Sequence, residues 1–415
     1  MRISTLNLYN TSTSQINTLQ SALARTQMQL STDRRLLTAA DDPVASARAL
    51  EVGQSQEINA QFATNRNSAN SSLSQVESTL QNTGDLLTDM QTLAVSGGNA
   101  TMLQSDREKL ATELEGKLAD LLGLANTADG SGGYLFSGYK TTTQPFTSTP
   151  TGAAYQGDQG VRQLQVSDSR KIPLSASGSA IFQAIPTGNG TFQTQAGDVK
   201  NGIVNKGAAV ISSGSVVDRA ELNKNNGTKY GVEFTVSNAT PPVTTYSVYT
   251  TNPRTPVADQ QNLAYQEGKQ MTFGGMAFDI KGAPAQGDIF TIEPSQKQSV
   301  FTTVTDLITT LRAPADGSTG KAALTNGLNT AIDNLKNAHD NVLTVQASVG
   351  AHMKELDYLD STGDDLDIQY ASTLDDLVGL DQVKAISDFS QQQVTLQAAQ
   401  MTFKTMSGLS LFNYL

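Results

Sequence analysis

Apolar residues recur at helical spacing at both ends of this chain and at strand spacing in its middle. Near the start, Ile16, Leu19, Leu23, Leu30 and Leu37 follow a three–four repeat, with Thr26 and Asp33 at the skipped positions. Such a repeat predicts a heptad stripe on one helix face. A break is expected over 32–42. Asp42 then suits an N-cap and Pro43 the first helical position, where a missing N–H costs nothing. The helix that follows carries Leu73, Val76, Leu80, Thr83, Leu87, Met90 and Ala94 and ends at Gly97-Gly98. Gly53 within it costs about 1 kcal/mol relative to Ala and marks a place for a local bend. Ser105-Asp106-Arg107-Glu108 has the form of a capping box. It predicts a third helix bearing Leu110, Leu114, Leu118, Leu121 and Leu122 and ending near Asp129-Gly130, before a short hairpin or turn at Gly132–Gly138.

The period changes in the middle. Val232, Phe234 and Val236 alternate with polar residues, as do Tyr246 and Val248, Met271 and Phe273, and Met276, Phe278 and Ile280. Asn226-Gly227 is a hairpin-type turn signal ahead of the first of these strands. Residues 141–220 are rich in Gly, Ser and Thr and predict weaker strands. The helical period then returns. Val300–Leu311 predicts a short helix stopped by Ala313-Pro314. A long one carries Leu328, Ala331, Leu335, Ala338, Val342, Val345, Val349, His352, Leu356 and Leu359. An acidic break is expected at Gly363-Asp364-Asp365, before a last helix with Phe389, Leu396, Ala399, Phe403 and Met406 and an apolar end at Leu409, Leu411, Phe412 and Leu415.

The fold class is therefore α+β: a long antiparallel coiled-coil bundle formed by both termini, with an inserted β-rich domain. The expected segments are an N-terminal helix and turn (1–42), the first half of the bundle (43–144), the β-rich domain (145–295), the second half of the bundle (296–362) and a C-terminal helix (363–415). Isolated terminal helices are marginal in water, so both termini are expected to order fully only against neighbouring subunits. Ile16, Leu19, Leu23 and Leu30, with Leu396, Ala399, Phe403 and Met406, are the expected interchain packing. The turn residues Asp33, Arg34, Arg35, Asp41, Asp42 and Pro43 are the expected subunit contact.

Composition narrows the function. The 415 residues are only 38% apolar and carry a net charge of -11. Acidity argues against a general nucleic-acid or anionic-membrane binder. It is localised: residues 300–415 hold 6 basic and 14 acidic side chains, whereas 141–299 hold 12 and 11. No Cys is present, which excludes disulfides and thiolate chemistry. The two histidines, His339 and His352, lie too far apart along one helix to share a metal. His352 falls on the seam, where a polar side chain bonded across the helix interface is expected. Gly317-Ser318-Thr319-Gly320-Lys321 departs from a phosphate loop, because Ala315 and Ala322 occupy required positions. Asp360, Asp364, Asp365 and Asp367 lack the acceptor spacing of a calcium loop. No catalytic set, metal site or cofactor site is expected, and the chain reads as no enzyme. No segment is long and apolar enough to suggest a membrane helix, and no cleaved signal peptide is expected.

Six short segments carry more specific information. They are Met1-Arg2-Ile3-Ser4-Thr5; Thr32-Asp33-Arg34-Arg35-Leu36-Leu37-Thr38-Ala39-Ala40-Asp41-Asp42-Pro43-Val44-Ala45; Tyr134-Leu135-Phe136-Ser137-Gly138 followed by Pro145-Phe146; Phe278-Asp279-Ile280 with Gly282, Pro284, Gly287-Asp288 and Phe290; Ala347-Ser348-Val349-Gly350-Ala351; and Ser410-Leu411-Phe412-Asn413-Tyr414-Leu415. In order, they resemble the opening, first interhelical turn, helical-domain exit, returning strand pair, return helix and ending of the flagellin superfamily. Within it they resemble the hook-associated, hook–filament junction type. The resemblance brackets the whole chain except roughly 147–270. The family usually has Gly where Asp33 stands and Arg where His352 stands. Asp tolerates the left-handed conformation, so the turn is expected to survive.

The resemblance implies a structural part of the bacterial flagellum, exported unfolded without a cleaved signal and residing outside the cell. Implied partners are further copies of itself in a ring or helical turn, the adjacent hook-associated junction protein, flagellin and a cytoplasmic export chaperone. Neither nucleic acid nor membrane is among them. A flagellin-like filament subunit, a junction protein of the hook-associated protein 1 type and a surface adhesin or enzyme displayed on helical ends are the alternatives.

Overall fold

The structure, a computed structural model, describes residues 5–198, 202–225 and 227–408. The first and last of the six segments above lie, but for Thr5, outside these residues, as does Asn226. Six long helices form the helical part: α1 (Thr5–Thr32), α2 (Pro43–Gly97), α3 (Gln104–Ala125), α6 (Val300–Arg312), α7 (Gly317–Val378) and α8 (Gln382–Gly408). Between α3 and α6 lie β1 (Phe146–Thr149), β2 (Gly152–Tyr155), β3 (Gln163–Ser167), β4 (Arg170–Pro173), α4 (Gly178–Phe182), β5 (Ile185–Pro186), β6 (Phe192–Ala196), β7 (Val210–Ile211) and β8 (Ser215–Val216). They are followed by α5 (Arg219–Lys224), β9 (Tyr230–Val236), β10 (Thr244–Thr251), β11 (Arg254–Pro256), β12 (Leu263–Ala264), β13 (Gln270–Phe273), β14 (Met276–Lys281), β15 (Ile289–Pro294) and β16 (Lys297–Gln298). The chain divides into two compact units. One holds Met1–Arg66, Val166–Ser169 and Asp357–Leu415; the other holds Asn67–Gln165 and Arg170–Leu356.

In the second unit α2 and α7 run antiparallel. Gln346 donates to Glu77 (2.7 Å), Gly84 faces His339, and Gly98 faces Leu328. Every seam residue from Leu73 to Ala94 is buried, as are Leu328, Ala331, Leu335, Ala338 and Val342. Helix α3 packs on α6, and Arg312 grips Glu115 with two bonds of 2.7 and 2.8 Å. An aromatic cluster of Phe136, Phe146, Tyr155, Phe182 and Phe301, with ring separations of 5.0–5.9 Å, closes the base of the β-rich region. Gly178 is needed there because a Cβ would press on the Phe146 ring.

Residues 185–298 form a lobe. Its main sheet has the order β11-β10-β9-β15-β6, with β12 also paired to β10. A smaller sheet joins β13, β14, β7 and β8. The alternating residues Val232, Phe234, Met271, Phe273, Met276, Phe278 and Ile280 point into one core shared by the two sheets, with Phe192, Phe290 and Ile292. The carboxylate of buried Asp288 ties the approach loops by accepting the N–H groups of Lys206, Gly207 and Ala285 at 2.8–2.9 Å. The lobe begins and ends on a paired neck, in which Lys297 lies opposite Pro186 and Gln298 opposite Ile185.

Several expectations are corrected. No break occurs at 363–365: α7 runs through to Val378 and the chain turns at 379–381. Gly363 is buried under the Arg66 guanidinium, where a Cβ would overlap it, so this glycine makes room within a helix. Asp364, Asp365 and Asp367 are exposed, and their weak helix propensity, well under 1 kcal/mol each, is overridden by packing. Ser105 is not a cap: Leu103 holds the N-cap position with no side-chain bond, and α3 ends at Ala125. Gly227 follows helix α5 and not a strand, so the signal there is no hairpin. Phe278–Ile280 and Phe290 lie in different sheets and do not pair. His352 is not bonded across the interface; its Nδ1 lies 3.9 Å from Glu355, one turn along the same helix. Arg170 of β4 supplies the cation that Glu355 pairs with.

Candidate assembly surfaces on the terminal helices

The turn between α1 and α2 is built from its own carboxylates. Asp41 accepts the N–H groups of Leu37 and Thr38, both at 3.0 Å, and pairs with Arg25 at 2.6 Å. The Thr38 N–H above all, then that of Leu37 and the charge of Arg25, holds the Asp41 carboxyl below its ordinary range. Asp42 caps α2 by accepting from Ala45 N–H at 3.0 Å, with Pro43 at the first helical position. Asp33 adopts φ +55°, as its place in the turn required.

The same turn grips the turn between α7 and α8. Arg35 N–H donates to Val378 O (2.8 Å), and its guanidinium to Leu377 O (2.7 Å). Arg34 bridges to Gly379, and Gln382 donates to Asp33 at 3.0 Å. Asp381 then starts α8 by accepting from Lys384 N–H at 3.0 Å. The six predicted turn residues therefore sit together, with Asp33, Arg34 and Arg35 holding the chain's own C-terminal turn. Arg34 and Pro43 are exposed.

Helix α1 packs along α8. Thr26 bonds Gln392 at 3.0 Å and the Tyr9 and Phe403 rings lie 5.2 Å apart. Ile16, Leu19, Leu23 and Leu30 share the face of Thr26; Leu396 and Ala399 share that of Gln392 and Phe403. Thr26 is buried; the apolar residues beside it stay half-buried, and Met406 is 37% exposed. Helix α8 also carries a second apolar stripe that the heptad count missed. Val383, Val394 and Met401 project from the opposite face, 81%, 66% and 70% exposed, with Ile386 at its margin. Their separations of eleven and seven residues are the sequence signal for it.

No cluster of three or more metal-ligating side chains occurs among the described residues, and none of their helices is long and apolar enough to cross a membrane.

Comparison with known proteins agrees with this architecture. The family model of the bacterial flagellin N-terminal helical region matches residues 3–141. The flagellar hook-associated protein 3 of Escherichia coli is 29% identical over 414 residues, 99% of each chain. The flagellar junction protein FlgL of Legionella pneumophila is 31% identical, with a TM-score of 0.71 covering 80% of this chain and 100% of that one. A second Legionella pneumophila structure, of flagellar hook-associated protein-3, is 30% identical with a TM-score of 0.73, covering 79% and 98%.

Proposed function

The chain belongs to the flagellar hook-associated protein 3 family, structural components of the bacterial flagellum at the hook–filament junction, and we propose that it forms that junction by packing its terminal helices against further copies of itself. The observation that carries this reading is the two-faced helix α8. One face rests half-buried on α1, and the other presents Val383, Val394 and Met401 to solvent. A stripe of this kind on a lone helix loses hydrophobic stabilisation of about 25 cal/mol per Å2 that a second copy restores. Ile16, Leu19, Leu23, Leu30, Leu396, Ala399, Phe403 and Met406, which lie along the chain's own α1–α8 seam and stay partly exposed there, then become interchain packing as well when neighbouring α1–α8 pairs close on one another. The exposed side of the 33–43 turn meets the next subunit, while its inner side keeps its own α7–α8 turn in place.

Copies related head-to-tail form a ring or one helical turn. Its two sides meet an adjacent hook-associated protein and flagellin. The role is structural and not enzymatic. The absence of Cys suits export as an unfolded chain without a cleaved signal, with a cytoplasmic chaperone on the C-terminal helix.

The test is complementation of a strain that lacks its junction protein. Filaments restored on the hook are the expected result. Export of the chain with flagellin lost to the medium overturns the assignment. Filaments built from this chain alone overturn it in favour of a filament subunit.

A further inference from the structure

Helix α7 presents polar residues to the lobe from a face separate from its apolar seam. Asn326 accepts Ile211 N–H (3.0 Å) and donates to Ala209 O (3.1 Å). One amide side chain thereby takes the place of a residue in a neighbouring strand at the edge of β7. Asn334 accepts Gly188 N–H (2.9 Å), and Asn337 donates to Pro186 O (2.8 Å) and Gly188 O (2.7 Å) beside the neck. Ser213 bonds Asp333, and Thr319 bonds Lys206 O at 2.8 Å. Next to this ladder lies a cleft of about 280 Å3 between the lobe and helices α6 and α7, in which amides, hydroxyls and the carboxylate of Asp306 alternate with small apolar residues such as Ala322 and Ala323, and no large apolar side chain among the described residues crosses it. The lobe keeps its apolar core to itself: every member of the buried cluster around Phe234 and Phe290 comes from residues 192–292.

From these three observations we infer that the asparagine ladder of α7 is a latch: it sets the position of an independently folded lobe, which swings on the β5–β16 neck when the ladder is released. A lobe held by apolar packing would lose its core on leaving the helix. This one loses directional bonds to groups that water can also satisfy, at a modest net cost for each. Because the amides and backbone groups are neutral, the latch is blind to ionic strength. Each such bond is worth a factor of about five to ten in an equilibrium, so removing several shifts the docked-to-undocked equilibrium constant by roughly a hundredfold or more. The inference is independent of where the chain assembles.

The chain has no Cys, so a pair of introduced thiols labels cleanly. Asp259→Cys on the lobe and Glu113→Cys on α3 are both exposed positions. Spin-label distances between them are measured in the full chain, with and without Asn326→Ala, Asn334→Ala and Asn337→Ala together. Amide exchange of β9 and β15 is followed in the same samples. The expected result is one narrow distance distribution that broadens in the triple variant, while exchange in β9 and β15 stays unchanged. A distribution that stays narrow overturns the latch. So does broadening accompanied by loss of protection in β9 and β15, because the ladder then maintains the lobe's fold and not its position. If the triple variant does not fold, Asn337→Asp, which keeps the shape and removes both donors, decides in the same way. A wild-type distribution that broadens in about 1 M salt assigns the docking to ion pairs and also overturns it.

Discussion

Two pairs of helices carry the same heptad pattern, and a single chain fills only one of them. In α2 and α7 the seam from Leu73 to Ala94 and from Leu328 to Val342 is buried throughout. In α1 and α8 the corresponding apolar residues, Ile16, Leu19, Leu23 and Leu30 with Leu396, Ala399 and Phe403, stay half-buried, and α8 adds an exposed stripe on its far side. The difference lies in neighbours and not in periodicity. Helices α3 and α6 and the aromatic cluster belong to the second unit, so its seams have covering layers. The terminal pair has only itself. A heptad stripe therefore says that a helix face wants a partner; burial says whether that partner is in the same chain.

Leu80→Ala, at a fully buried seam position, is expected to lower stability by about 2–5 kcal/mol in urea denaturation. A loss below about 1 kcal/mol would mean that the second unit's seam is no better packed than the terminal one.

Gly363→Ala places a methyl against the Arg66 guanidinium and its 2.8 Å pair with Asp360. A loss of about 1–3 kcal/mol is expected. Denaturation unchanged from wild type would return Gly363 to the role of a tolerated helix breaker.

Acid should separate regions by sign. Asp41 has its pKa lowered from 3.8, so its contribution is present above that value and is lost as pH falls through the folded pKa. Asp306 and Asp333 are raised from 3.8 by burial, against the hydrogen bonds from Gln298 and Ser213. Their contribution is complete below 3.8 and is lost as pH rises through their folded values. On acidification the Leu37 and Thr38 amides should lose exchange protection while the lobe's contacts with α6 and α7 tighten. Asp41→Asn should abolish the first change only; a persisting change would place the titration elsewhere.

The smallest effect on the lone chain is expected from Leu23→Ala, about 1 kcal/mol, because that side chain is only partly buried and leaves no closed cavity. Its effect should appear in assembly, as loss of incorporation into the flagellum. Strong amide-exchange protection of residues 5–30 in a dilute monomer would instead show that the terminal pair needs no neighbour.

What was legible in the sequence was the periodic part. The three–four repeats placed α1, α2, α6 and α8, and the cap at Asp42-Pro43 gave the start of α2. Alternation gave β9, β10, β13 and β14. The errors came where one residue type serves two ends. Gly363 and its acidic neighbours read as a stop, yet this glycine admits an arginine, a contact whose other half lies 297 positions earlier in the chain. Ser105 had the spacing of a cap but lies one residue inside the helix. The asparagines of α7 were silent, because their partners are backbone groups, which have no letter in a sequence. The second stripe of α8 was hidden for the opposite reason: two apolar faces on one helix cancel, leaving a pattern that looks evenly mixed.

The paired neck has a consequence for how such chains vary. Because β5 and β16 are neighbouring strands, everything between Pro186 and Lys297 departs from and returns to one place, about one strand spacing wide. The helices therefore impose no fixed length on what is threaded through that gate. Natural variation and deliberate grafting should both accumulate there, with foreign domains whose ends lie close together accepted as cassettes, while the same insertion into a helical seam would shift every heptad beyond it.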